Sequence, residues 1–219
     1  MQKLHATPYE LGEDTKMDRK NLVITSGEEC SVYENARIQC TTKVLEGNYV
    51  FKNCLIQGEH TIFKGCRFEN CSIIHAAGLE DCSFENCEDV TVCDGNITHC
   101  EFKHVDFFFL NESVVSDCTF DQIHPDLEVG ISMENVKVIR CTFSNIRVRF
   151  GTYLIDAVGE SEVEECTFID CATDREDLEL VHCEEIKGKL FKRKKCYDIT
   201  HNCTGLDEVK ILQSPLAFY

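Results

Sequence analysis

The segment Ile146-Arg147-Val148-Arg149-Phe150 alternates apolar residues with Arg, so on a strand both guanidinium groups leave one face. Asp156 follows where the next strand would begin, which sets an acid near the two guanidinium groups, a pairing of opposite charges suited to acid–base work. Arg147, Arg149 and Asp156 are therefore the catalytic candidates. His124, Asp126 and Glu128 could line a cleft, although around Pro125 the same residues make an ordinary polar turn. Downstream, His182, Cys183, Cys196, His201 and Cys203 are zinc-type ligands, yet the gap of 13 from Cys183 to Cys196 and the tight His201-Asn202-Cys203 fit no zinc module. Buried thiols and surface histidines are the expected reading of this group, with no metal and no cofactor. Between them run Lys187, Lys189, Lys192, Arg193, Lys194 and Lys195, six of the 22 basic residues, read as a solvated loop or cap, with an anion or partner contact, or pairing with the acidic stretch from Asp174 to Glu185, as the alternatives.

The elements that position these groups come from a repeat. Cys-x-Phe recurs at Cys66-Phe68, Cys82-Phe84, Cys100-Phe102, Cys118-Phe120, Cys141-Phe143 and Cys166-Phe168, at intervals of 16, 18, 18, 23 and 25. Three residues before each Cys stands Phe63, Leu79, Ile97, Val115, Val138 or Val163, and five after it Cys71, Cys87, Val105, Ile123, Ile146 or Cys171. Every one of these positions is apolar, and the period of two across Cys-x-Phe turns both side chains to one face of a short strand. Two residues past Phe comes Asn70, Asn86, His104, Gln122, Asn145 or Asp170, mostly types that tolerate the left-handed bend of a corner. The intervals are too short for a strand plus a crossover helix, which needs about 30 residues. Strand, bend, strand is what remains: a solenoid whose Phe and Cys stack inward. The longest coils must carry loops, where a solenoid places binding residues.

Segments such as Cys66-Arg67-Phe68-Glu69-Asn70-Cys71 and Cys141-Thr142-Phe143-Ser144-Asn145-Ile146 resemble coils of the right-handed parallel β-helix superfamily typified by pectate lyases, over about residues 50 to 185. The resemblance implies an all-β, single-domain right-handed parallel β-helix solenoid with short coils and terminal caps. The expected organisation is an N-terminal cap over 1–25, coils over 26–185 and a C-terminal cap over 186–219, with weaker copies at Cys54 and Cys183. Through the same resemblance, Arg147, Arg149 and Asp156 are similar to the charge-stabilising and proton-abstracting groups of β-helix lyases. No acidic set matches the lyase or hydrolase motifs residue by residue, and the chain has no Trp for a sugar cleft.

Sixteen Cys would suit a disulfide framework in a small secreted protein, but their repeat phase makes them small hydrophobes of a stacked core, mostly reduced. Distances between stacked coils do not forbid a disulfide. Met1 to Lys16 lacks the apolar core of a signal peptide, so a soluble cytoplasmic protein is expected, against a slight contrary hint from the sequons at Asn96 and Asn111. The net charge of −17 disfavours nucleic acid phosphates and anionic membranes as ligands. It suits a protein partner, a basic one included, or mimicry of nucleic acid at a basic site, close in concept to acidic pentapeptide-repeat proteins but without their five-residue period. The outward row after Cys, ending in Thr119, Thr142 and Thr167, suggests an ice-binding array, but Glu69, Glu85, Lys103 and Asp121 break the row beside it. The leading expectation is a non-enzymatic binding β-helix acting through an acidic surface and loops. A carbohydrate-active lyase or hydrolase, with polysaccharide as its ligand, is the alternative.

Overall fold

Period-two burial and one-residue bends generate the whole fold. The structure, a computed structural model, describes residues 20–25, 31–123, 130–149, 152–185, 195–196 and 199–212. The Cys-x-Phe segments form the first face of a three-sided parallel β-helix, through Val50–Lys52, Arg67–Glu69, the starts of Ser83–Thr98 and Glu101–Asn111, Thr119–Asp121, Thr142–Ser144 and Thr167–Ile169. Their register sets Phe opposite Phe from Phe51 to Phe168. The second face stacks Ala36–Cys40, Leu55–Gln57, the start of Ser72–Glu80, the middle of Ser83–Thr98, the end of Glu101–Asn111, Ile131–Glu134, Ile155–Val158 and Val181–Glu185. The third includes Val44–Glu46, Ile62–Lys64, Val114–Ser116, Lys137–Ile139 and Glu162–Glu164.

Inside, the Phe rings make one continuous column. Phe68, Phe84, Phe102, Phe120, Phe143 and Phe168 stack at centroid distances of 4.7 to 4.9 Å, and Phe51 and Tyr33 extend the stack at 5.1 and 5.4 Å. That spacing is the distance between neighbouring strands, so the backbone ladder dictates the ring stack. Each buried ring contributes roughly 1.5–3 kcal/mol from area alone, which helps such short coils offset their ordering entropy.

Each corner turns on a residue with positive φ. Asn35, Asn53, Asn70, Asn86, His104, Gln122, Asn145 and Asp170 hold φ between 49° and 57° and lead from the first face to the second, as the residue types predict. A second series, Asp81, His99, Asp117, Arg140, Glu165 and Asn202, immediately precedes a Cys and leads into the first face. A third includes Asp94, Glu112, Asn135 and Gly159. The bends break no ladder: the Asn70 N–H donates to Glu85 O at 2.9 Å, and the Asp81 N–H to Thr98 O at 3.1 Å.

The corners also explain why Cys recurs. The thiol after each bend donates to the carbonyl two residues back, as from Cys82 to Glu80 (3.3 Å), Cys100 to Thr98 (3.3 Å), Cys118 to Ser116 (3.2 Å) and Cys71 to Glu69 (3.3 Å). Ser113 does the same to Asn111 at 2.7 Å on the third corner series. Cys thus fills the core like a small hydrophobe while giving a corner carbonyl a second, weak donor. The cysteines from Cys40 to Cys183, and Cys203, are free thiols, and burial pushes Cys40 up to about 12 and Cys87 and Cys171 up to about 11.

Parallel pairing extends on both sides of residues 26 and 185, the limits expected for the coils. Lys20–Ile24 lies on Ala36–Cys40, Thr200–His201 on Glu162–Glu164, and Lys210–Ile211 on Ala172–Thr173. The two longest repeat intervals gain their length at the corner between first and second faces. There a short additional ladder of Arg147–Val148, Ala172–Thr173 and Lys210–Ile211 forms.

Candidate functional site

The second face carries the surface that the repeat leaves free to vary. Thr91, Phe109, Ser132, Asp156 and His182 are register partners on successive parallel strands, and none is buried. In Glu101–Asn111 the alternation sends Phe108 and Leu110 into the core, while Phe107 and Phe109 stand half-buried on the outside. Acids flank these rings on both sides. Glu88, Asp89 and Asp106 are exposed near the corner from the first face, and Asp94, Glu112 and Glu134 near the corner to the third.

This placement follows from a charge segregation that composition alone conceals. Residues 68–136 hold fifteen Asp and Glu against one Lys, Lys103, and no Arg, so most of the net charge of −17 belongs to the central coils. On the first and third faces, cross-coil ion pairs interrupt the negative charge. Lys52 pairs with Glu69 at 3.0 Å, Lys64 with Glu80 at 2.5 Å, Lys137 with Glu162 at 3.0 Å, and Arg140 is bidentate on Asp117 at 2.7 and 2.8 Å. The stretches 86–96 and 104–136, which supply three successive second-face strands, contain no Lys or Arg. An aromatic pair rimmed by acids resembles the make-up of a protein interface, where aromatic residues are enriched and the rim is polar.

The structure separates the catalytic candidates. Arg147 lies on the additional corner ladder, where its guanidinium donates to Asp170 Oδ2 at 2.9 Å and to the Asp170 and Ile146 carbonyls. Lys210 Nζ reaches Asp170 Oδ1 at 2.9 Å, and the two cations hold the Asp170 carboxyl down at about 2. Arg149 follows on the same strand end, its carbonyl accepting from Thr152 Oγ1 at 2.8 Å. Asp156 sits instead on the second face, between Ser132 and His182.

Around Asp156 the structure assembles a group that the sequence reading did not. The His182 ring stacks on Tyr153 at 4.3 Å, and the Arg175 guanidinium lies 4.1 Å from the Tyr153 centroid, a cation–π contact. Arg175 is also bidentate on Asp177 at 2.5 and 2.9 Å, and burial raises the Tyr153 phenol despite that nearby cation. Coil arithmetic was the available signal, because Asp156 and His182 stand about one local repeat interval apart along the chain.

Among the metal-type residues, Cys183 points into the core opposite Ala157, and the Cys203 thiol donates to Val163 O at 3.5 Å and His201 O at 3.6 Å. His201 is exposed beside Glu164, and the Cys196 backbone pairs antiparallel with Glu184. Among the described residues no group of three or more His, Cys, Asp and Glu could hold a metal ion. No described helix is long and apolar enough to cross a membrane. His124, Asp126, Glu128 and the basic run from Lys187 to Lys194 lie outside the described residues.

No family model matches the chain, and no curated protein matches it. Among solved structures, a trypsin-treated form of QnrB1, a plasmid-mediated fluoroquinolone resistance protein, is similar at 16% identity over 71% of this chain and 70% of that chain, with a TM-score of 0.19. The overlap is slight, and the β-helix assignment rests on the strand register and the ring column described above.

Proposed function

We propose that this protein is a non-enzymatic β-helix that docks a basic protein partner on its acidic central coils. The observation that supports this most directly is the second face, where outward Phe107 and Phe109 lie between two groups of exposed acids and no Lys or Arg occurs within residues 104–136. Acidic rims steer a basic partner and set the salt dependence of encounter, while desolvated aromatic anchors slow its release. The ion-pair ladders on the other two faces favour a local docking face over an even, duplex-like charge.

The test is affinity capture with the full chain at about 50 and 500 mM salt, in parallel with Glu112→Lys/Glu134→Lys and Phe109→Ala. The expected result is a partner held at low salt, released at high salt and weakened about tenfold by either variant, the scale of a rim-charge pair or one aromatic anchor. A partner held equally well by wild type and both variants rules out this face. Displacement by duplex DNA would move the reading to nucleic acid mimicry.

A second reading, polysaccharide chemistry of the kind found in the pectate-lyase-like superfamily, draws on Asp156, His182, Tyr153 and Arg175 sharing the second-face end of the rod. It requires activity on a panel of acidic and neutral polysaccharides that Asp156→Asn abolishes. Activity unchanged by that substitution excludes the site.

A further inference from the structure

We propose that the basic occupant of the acidic face is a second copy of this chain, which supplies its own segment Lys187–Lys195. The inference rests on the docking reading above and names the partner. The segment reads Lys187-Gly188-Lys189-Leu190-Phe191-Lys192-Arg193-Lys194-Lys195, six cations around a Leu-Phe pair, and so complements an aromatic pair set among acids. Its ends are fixed on the same face: Glu184 and Glu185 on Val181–Glu185 pair antiparallel with Cys196 and Lys195.

Reach favours a contact between copies. From the strand that carries Phe109 to the strand that carries His182 the register counts three steps, about 14 Å at 4.8 Å per strand. A chain of nine residues tethered at both ends extends at most ~16 Å from its base, so within one molecule it reaches the Glu134 strand, two steps or about 10 Å away, but only its tip would arrive at the strand of Phe109. Between two copies lying antiparallel, second face to second face, each basic segment overlies the other's central coils. The pairing is two-fold and closes on itself. The shared face is small, roughly 24 Å by 17 Å or ~400 Å² per copy, at the low end of specific interfaces, so the dimer is weak and salt-sensitive.

Sedimentation of the full chain over a concentration series tests this, with folding of every variant checked by circular dichroism. Wild type is expected to dimerise at about 50 mM salt and to dissociate more than tenfold more readily at about 500 mM. Reversing the segment (Lys187→Glu, Lys189→Glu, Lys192→Glu, Arg193→Glu, Lys194→Glu) or the face (Glu88→Lys, Asp94→Lys, Glu112→Lys, Glu134→Lys) changes the sign of each, so either variant should be a monomer by placing like charges together. Mixing the two reversed proteins should restore a dimer within about threefold of wild type, since both contacts are then attractive again. A monomeric wild type, or a mixture that fails to associate, overturns the inference. An oligolysine peptide separates the two levels: if wild type stays monomeric yet binds it through Glu112 and Glu134, the docking reading stands and self-association falls. If it binds neither, both fall.

Discussion

Asn70 shows what one corner residue does for the fold. Its φ of 51° lies in the left-handed region, which costs most L-residues roughly 1–2 kcal/mol and Gly nothing of that kind. Asn70→Gly should therefore leave the urea midpoint almost unchanged, whereas Asn70→Val should lower stability by about 1–2 kcal/mol; equal midpoints would show that the corner is set by its neighbours. This series was readable in the sequence because Asn dominates it. The series before Cys was not, since Asp81, His99, Asp117, Arg140 and Glu165 share only their backbone geometry and vary in charge and size. The role of Cys was half readable: repeat phase gave its burial, but the bond from thiol to corner carbonyl emerges only once the bend is in place.

At the level of elements, the ladder of Arg147–Val148, Ala172–Thr173 and Lys210–Ile211 is tied at its edge by Asp170, with Lys210 and Arg147 on its carboxylate. The folded pKa of about 2 lies below the ordinary carboxylate value near 3.9, so the stabilisation is fully present above about pH 4 and is lost as pH falls through about 2. Asp170→Asn should lower stability at neutral pH and flatten the slope of stability between about pH 4 and pH 2, measured by thermal melts across that window. An unchanged slope would remove Asp170 from the pH response. The sequence suggested Asp156 as the acid near Arg147 because it is close along the chain. In a solenoid the relevant neighbour lies one coil away, and Asp170 is the acid that the next coil brings back to Arg147.

For the whole molecule, uneven charge is the dominant feature. Fifteen acids against one base in residues 68–136 repel one another, while Glu69, Glu80 and Asp117 draw their cations Lys52, Lys64 and Arg140 from outside that stretch. Surface pairs contribute about 0–1 kcal/mol each, so screening should relieve more repulsion than it removes attraction. Raising NaCl from about 50 to 500 mM should therefore raise the thermal midpoint of the isolated chain at fixed low protein concentration. A midpoint that falls with salt would show that the ion-pair ladders outweigh the repulsion. Fold class was readable almost in full because every coil repeats one grammar. The docking face was not, because it occupies the positions that grammar leaves open, and Phe107 and Phe109 are placed outward only by the burial of Phe108 and Leu110 between and beside them.

The corner between the first and second faces works as an expansion joint. The path along the chain from Phe143 to Phe168 is longer than that from Phe84 to Phe102, yet the two ring pairs sit at nearly the same separation, 4.9 and 4.7 Å. Contour length and axial length are thus decoupled: the chain can take up extra residues at that joint without displacing the next rung. New surface can be added on one side of the rod while the interior stays in step.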